Sequence, residues 1–137
     1  MDDTELKSLL DSSRTVAIVG LSTDPEKTSS KIAEILIDAG YDVIPVHPKA
    51  TEILGRTAYP SLADIPVPVD IVDVFRPADE AEGIARQAVA IGAKTLWLQL
   101  GIASAEARAL AEEAGLRYVE DTCIGATTKR LGNRAAA

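Results

Sequence analysis

Apolar residues along the chain follow two alternating patterns. Short runs rich in β-branched residues fall at Thr15 to Val19, Val43 to Val46, Val69 to Phe75, Thr95 to Leu100 and Leu116 to Val119. Their length and composition predict strands. Longer stretches with helical spacing lie between them. Ile32, Ile35, Leu36 and Ala39 fall at i, i+3, i+4 and i+7, as do Ala81, Ile84, Ala85 and Ala88, and Ala107, Leu110, Ala111 and Ala114. Each set forms one apolar stripe on a helix. Gly40, Gly92 and Gly115 follow these stretches, where a left-handed cap favours glycine. Ser104 stands at an N-cap position. Residues 4–10 predict a leading helix within 1–13, residues 61–65 a short helical turn, and residues 133–137 a frayed tail.

Strand followed by helix, repeated, predicts right-handed parallel crossovers. Near-continuous apolar strands predict a sheet covered on both faces. The expected architecture is a Rossmann-like, doubly wound parallel five-stranded sheet in three α/β/α layers. The 137 residues are expected to form one domain. Aromatic residues make up only 4% of the chain, so the core must be largely aliphatic. The net charge of −7 gives no general attraction to nucleic acid, so an anionic ligand needs a local site. A single cysteine, Cys123, forbids an internal disulfide and fits a reducing cytoplasm. No apolar run approaches the roughly 18 residues of a membrane span. The expectation is a cytoplasmic protein with no nucleic-acid or membrane partner.

In a parallel open sheet, ligands bind beyond the carboxyl ends of the strands. The first such loop runs from Gly20 to Lys31. Gly20 permits a tight turn, Ser22, Ser29 and Ser30 offer hydroxyls, and Lys27 and Lys31 add positive charge. Thr28 or Ser29 is expected to cap a helix beginning near Ser30, whose free N–H groups suit an anion. The plain alternative is a capped helix with surface lysines. A G-x-G-x-x-G fingerprint is not met, because Ser22 and Pro25 stand where the second and third glycines belong. The second strand ends in His47, Pro48 and Lys49, with no acid to hold a ribose 2′-hydroxyl. That disfavours NAD. It suits cofactors with a phosphate on the adenosine ribose, namely NADP and coenzyme A.

The third strand ends in Phe75 and Arg76. A ring there can lie on adenine or fill the core, and Arg76 can pair with phosphate or stack. Gln99 and Gly101 follow the fourth strand and are placed to meet a ligand along the sheet edge. Trp97 reads as core. Cys123 can meet a ligand thiol, although a buried cysteine is more often inert.

Several segments resemble the small stand-alone CoA-binding domain proteins, relatives of the CoA-binding domain of the succinyl-CoA synthetase α subunit and of NDP-forming acyl-CoA synthetases. They are Val19 to Ser22, Gly40 to Val46, Val69 to Arg76, Gly92 to Lys94, Trp97 to Gly101 and Asp121 to Ile124. The resemblance implies a Rossmann-like CoA-binding domain. It assigns ligand contacts to Gly20, Ser22, Lys27, Ser29, Lys31, His47, Pro48, Lys49, Phe75, Arg76, Gln99 and Gly101. Lys27 replaces a more usual arginine, His47 an asparagine, and Thr122 an arginine. The ligases of this kind use a phosphorylated histidine on a further domain, whereas the one histidine here is His47. The leading expectation is non-catalytic binding of CoA or acyl-CoA, in a regulatory or carrier module. An NADP-binding oxidoreductase or redox sensor is the alternative. A partner enzyme and a homo-oligomer are both left open.

Overall fold

The structure is a computed structural model and describes residues 1–132. The predicted frayed tail, 133–137, lies outside the described residues. Among the described residues, seven strands and five α-helices follow in the order α1 (Asp3–Ser12), β1 (Thr15–Val19), α2 (Thr28–Asp38), β2 (Asp42–Val46), β3 (Glu52–Ile53), β4 (Arg56–Thr57), β5 (Ile71–Val74), α3 (Ala81–Ala90), β6 (Thr95–Leu98), α4 (Ala105–Glu113), β7 (Arg117–Val119) and α5 (Ile124–Leu131). Single 3₁₀ turns at Leu62–Asp64 and Ala78–Glu80 complete the list.

Five strands form one parallel sheet in the order β2-β1-β5-β6-β7. The chain moves outward from β1 to β2, then returns to the other side of β1 as β5. The order therefore reverses between β1 and β5, which opens a crevice at their carboxyl ends.

Alternation along the buried strands sends successive residues to opposite faces. Val16, Ile18, Ile71 and Trp97 pack with Leu6, Leu9 and Leu10 of α1, Ile32 and Leu36 of α2, and Ile124 of α5. Ala17, Val72, Val74, Leu96 and Leu98 pack on the opposite face with Ala81, Ile84, Ala85 and Ala88 of α3 and Ala107 and Ala111 of α4. The fold is thus the expected three-layer Rossmann-like sandwich. Trp97 is fully buried, and its indole N–H donates to the Thr122 carbonyl at 2.8 Å.

The capping signals act as predicted at most ends. Gly40, Gly92 and Gly115 take positive φ. The Ser104 hydroxyl accepts the Ala107 N–H at 3.1 Å. The start of α2 differs from expectation. The helix begins at Thr28, Lys27 is its N-cap, and no side chain caps it. The Ser29 hydroxyl accepts the N–H of Ser22 instead.

The β3–β4 hairpin and α5 carry no strong sequence signal. The hairpin strands are two residues long, too short for a period, and its turn places Leu54 and Gly55 at φ 54° and 72°. An Asn or Asp in place of Leu54 would have announced such a turn. The strand limits also shorten: β5 stops at Val74 and β6 at Leu98, which puts Phe75 and Gln99 just beyond the sheet. No helix among the described residues is long and apolar enough to cross a membrane.

Candidate functional site

The crevice begins at Gly20. Its φ of +93° lies in the left-handed region. A Cβ there would stand 2.6 Å from the Phe75 carbonyl oxygen and 2.9 Å from Arg76 Cδ. Glycine is therefore required because the turn after β1 crosses directly over the end of β5. The sequence reading expected a tight turn at this residue, and the neighbouring backbone supplies the reason for it.

The rest of the first loop is held by its own side chains. The Ser22 N–H donates to Ser29 Oγ at 3.1 Å, and the Asp24 N–H donates to Ser22 Oγ at 3.0 Å. Ser30 Oγ lies 3.1 Å from the Ser22 carbonyl and 2.8 Å from that of Asp24. Ser29 and Ser30 are buried, so their hydroxyls shape the loop from beneath.

The loop after β2 is organised by His47. Its Nδ1 accepts the N–H of Lys49 at 3.0 Å and of Ala50 at 2.9 Å. Those bonds fix the ring and leave Nε2 as the nitrogen for a ligand. The His47 N–H donates to the Tyr59 carbonyl at 2.9 Å, which draws the segment before Pro60 alongside β2.

Arg76 follows β5 and makes a two-pronged ion pair with Glu80. Nε lies 3.1 Å from Oε1 and Nη2 lies 2.7 Å from Oε2. Hydrogen bonding to Glu80 raises the Arg76 pKa, and the same bond holds the Glu80 carboxyl below its usual range. Both side chains are about half exposed.

Beneath the loops lies a buried pair, of which the sequence reading singled out Gln99 and missed Asp73. Asp73 is fully buried in β5. Gln99 Nε2 donates to its Oδ1 at 2.6 Å, while Oδ2 has no partner. Burial pushes the Asp73 carboxyl up to about 8, against the opposing effect of the Gln99 bond. The group is therefore largely protonated at neutral pH. The other end of Gln99 accepts the Ile124 N–H at 3.4 Å, which ties β6 to the start of α5. A lone acid within the apolar run Val72-Asp73-Val74 was the available signal.

Two adjoining cavities use these residues. The first, of about 550 Å³, is lined by Gly20, Ser22, His47, Pro48 and Arg76, together with Pro60, Ser61, Glu80, Ile84 and Gln87. The second, of about 360 Å³, is lined largely by apolar groups from Ile32, Phe75, Pro77, Leu100 and Ile102. Gln99, Thr28 and Cys123 complete its wall. Arg76 borders both. Eight of the twelve assigned residues thus gather here. Four others are placed apart: Lys27, Lys31 and Lys49 are exposed and line neither cavity, and Ser29 lies under the loop.

 Gly101 is the eighth of those gathered, by its place on the rim between the wall residues Leu100 and Ile102; its N–H donates to Asp121 Oδ1 at 2.6 Å. Phe75 faces the second cavity, away from His47 and Pro48, and is only partly buried. Cys123 is likewise half-buried on that wall, where its Sγ accepts the Ala126 N–H at 3.4 Å.

The sequence reading missed Pro60, Ser61, Glu80 and Gln87. Pro60 and Ser61 arrive through the pairing of Tyr59 with β2, which no local pattern announces. Glu80 stands four residues after Arg76, a spacing that brings side chains together once the segment turns helically. No group of three or more His, Cys, Asp or Glu residues suited to a metal occurs among the described residues.

Fold and crevice together define a parallel α/β domain with two adjoining cavities at its switch point. One has a mixed polar and apolar lining and the other is largely apolar, with the Arg76 guanidinium on the border of both. Residues 14–129 match the family described as CoA binding domain, and the chain belongs to that family. It is 39% identical over 120 residues to the "Uncharacterized protein YneT" of Bacillus subtilis (strain 168), covering 88% of this chain and 89% of that protein. It is 27% identical over 134 residues to acetate–CoA ligase [ADP-forming] I of Archaeoglobus fulgidus, covering 89% of this chain but 19% of the ligase. A solved structure described as a hypothetical protein from Pyrococcus horikoshii OT3 superposes with a TM-score of 0.92 at 37% identity, covering 96% of this chain and 92% of that one.

Proposed function

We propose that this chain binds coenzyme A, free or acylated, at the carboxyl ends of its parallel strands without transforming it. The observation that carries the reading is the meeting of two unlike cavities at Arg76. Coenzyme A has an anionic nucleotide end and a slender, mostly apolar arm. The first cavity offers Ser22, His47 Nε2 and the Arg76 guanidinium to the anionic end. The second offers Ile32, Phe75, Leu100 and Ile102 to the arm, with Cys123 on its wall. The donor set fits the cofactor. Lys27, Lys31 and Lys49 act at longer range, as exposed charges around the mouth. Binding without chemistry is supported by the distribution of reactive groups. His47 and Glu80 line the first cavity and are each held by hydrogen bonds, whereas Cys123 lines the second. A cytoplasmic carrier or regulatory module that serves a partner enzyme is the role we assign.

Isothermal titration with coenzyme A tests this reading. The expected result is one ligand per chain, with binding weakened in His47→Ala. Ligand at 100 times its Kd should add about 2.7 kcal/mol of stability. No heat with coenzyme A or acetyl-CoA at millimolar concentration would overturn it. Thermal protection by NADPH and not by coenzyme A would transfer the site to NADP.

A further inference from the structure

The Arg76–Glu80 pair sits inside the proposed binding site, and this inference rests on that reading. Both residues line the first cavity, and Arg76 also borders the second. The guanidinium presents two parallel N–H donors, the arrangement that recognises a carboxylate or a phosphate. Glu80 already fills that fork through two contacts of 3.1 and 2.7 Å. We infer that Glu80 is an internal competitor for Arg76, and that it sets the affinity and selectivity of the site for phosphorylated ligands.

Three features support this assignment. The segment between the two residues is short and turned: Pro77 leads into the 3₁₀ turn Ala78–Glu80, which delivers the carboxylate to the guanidinium. The pair is half exposed, and exposed ion pairs at this spacing are weak, so a ligand phosphate can displace the carboxylate. Glu80 also faces the space that an anionic ligand would occupy, so its charge opposes anions that fail to engage Arg76. A phosphate group that takes the fork overcomes this opposition. A neutral or weakly anionic molecule gains nothing from the fork and leaves the pair closed. Glu80 therefore acts through Arg76 as a positioning residue, and it favours ligands that can replace its carboxylate with a phosphate.

The experiment is a double-mutant cycle read by titration with coenzyme A, using wild type, Glu80→Gln, Arg76→Gln and the double variant. Glu80 is exposed, so Glu80→Gln should leave the fold intact; unchanged circular dichroism checks this. The expected result is binding about three- to tenfold tighter in Glu80→Gln. Arg76→Gln should bind more weakly. In the Arg76→Gln background, Glu80→Gln should gain less, because the competitor then has nothing to occupy. The direction of the change is diagnostic, since loss of a merely structural pair would loosen the site and weaken binding. Equal or weaker binding in Glu80→Gln, beside measurable binding in wild type, overturns the role of Glu80 and leaves the coenzyme A reading standing. An equal gain in both Arg76 backgrounds overturns action through Arg76. Absence of binding in all four proteins overturns both proposals.

Discussion

Replacing Asp73 by asparagine should abolish a specific part of the protein's pH dependence. Asp73 is fully buried, its Oδ1 accepts a hydrogen bond from Gln99, and its carboxyl titrates at about 8. In the unfolded chain the same group titrates near its free value of about 3.9. Between these two values the native state holds one proton that the unfolded state has lost. Stability must therefore fall as pH rises through this window, by about 1.4 kcal/mol per pH unit. From about pH 5 to about pH 7.5 the loss attributable to Asp73 is roughly 3 kcal/mol. Asparagine keeps the oxygen that accepts from Gln99 and cannot ionise. Every other titrating group is common to both proteins and cancels in the difference. The assay is urea denaturation followed by the fluorescence of Trp97, the chain's single tryptophan, at both pH values. The stability of Asp73→Asn relative to wild type should improve by about 3 kcal/mol between the lower and the higher pH. A gap that stays constant within about 0.5 kcal/mol would refute the account of Asp73 as a neutral buried acid.

Two further substitutions test other parts of the frame. Gly20→Ala should destabilise by about 2–4 kcal/mol, from the positive φ and the clash with the Phe75 carbonyl; a melting temperature equal to that of wild type would contradict the crossing described here. Asp70 accepts the N–H groups of Arg14 at 2.7 Å and Thr15 at 3.0 Å. Burial alone would raise its pKa, but those two bonds and Lys94 together leave it lowered. Its contribution is present above the ordinary carboxylate range and is lost as pH falls through the folded value. Asp70→Ala should cost about 1–3 kcal/mol at neutral pH and less in acid, as measured by denaturant midpoints at both pH values.

The parts of the molecule legible in the sequence are those built from repeated local patterns. Val16 to Ile18, Leu96 to Leu98 and, apart from Asp73, Ile71 to Val74 are apolar because both sheet faces are covered, and the runs themselves show it. The ends of β1, β2, β5 and β6 could be placed at one edge because parallel topology requires it. The side-chain geometry at that edge was not legible. Whether Phe75 meets His47 or Cys123 depends on which side of the sheet it leaves, and only the register of β5 decides that. Lys27 and Lys31 are exposed and line neither cavity, which their places in the sequence did not reveal. Glu80 escaped notice because its importance lies in what it holds. The resemblance of Asp121 to Ile124 to known proteins did not reveal that an eight-residue helix follows.

The small side chains behind α3 have a consequence for the crevice in front of it. Ala81, Ala85 and Ala88 lie in the core with Ala107 and Ala111 of α4, while Ile84 and Gln87 of α3 border the first cavity. The helix is therefore the partition between a tightly seated interior and the chamber of the first cavity. Alanine has no rotamers with which to absorb a misfit, so the depth at which α3 beds onto the sheet fixes the chamber's width. A larger residue at position 85 or 88 would tilt or lift the partition and narrow the chamber while touching no ligand. If the chamber holds the proposed ligand, its selectivity is partly written in residues that the ligand never meets.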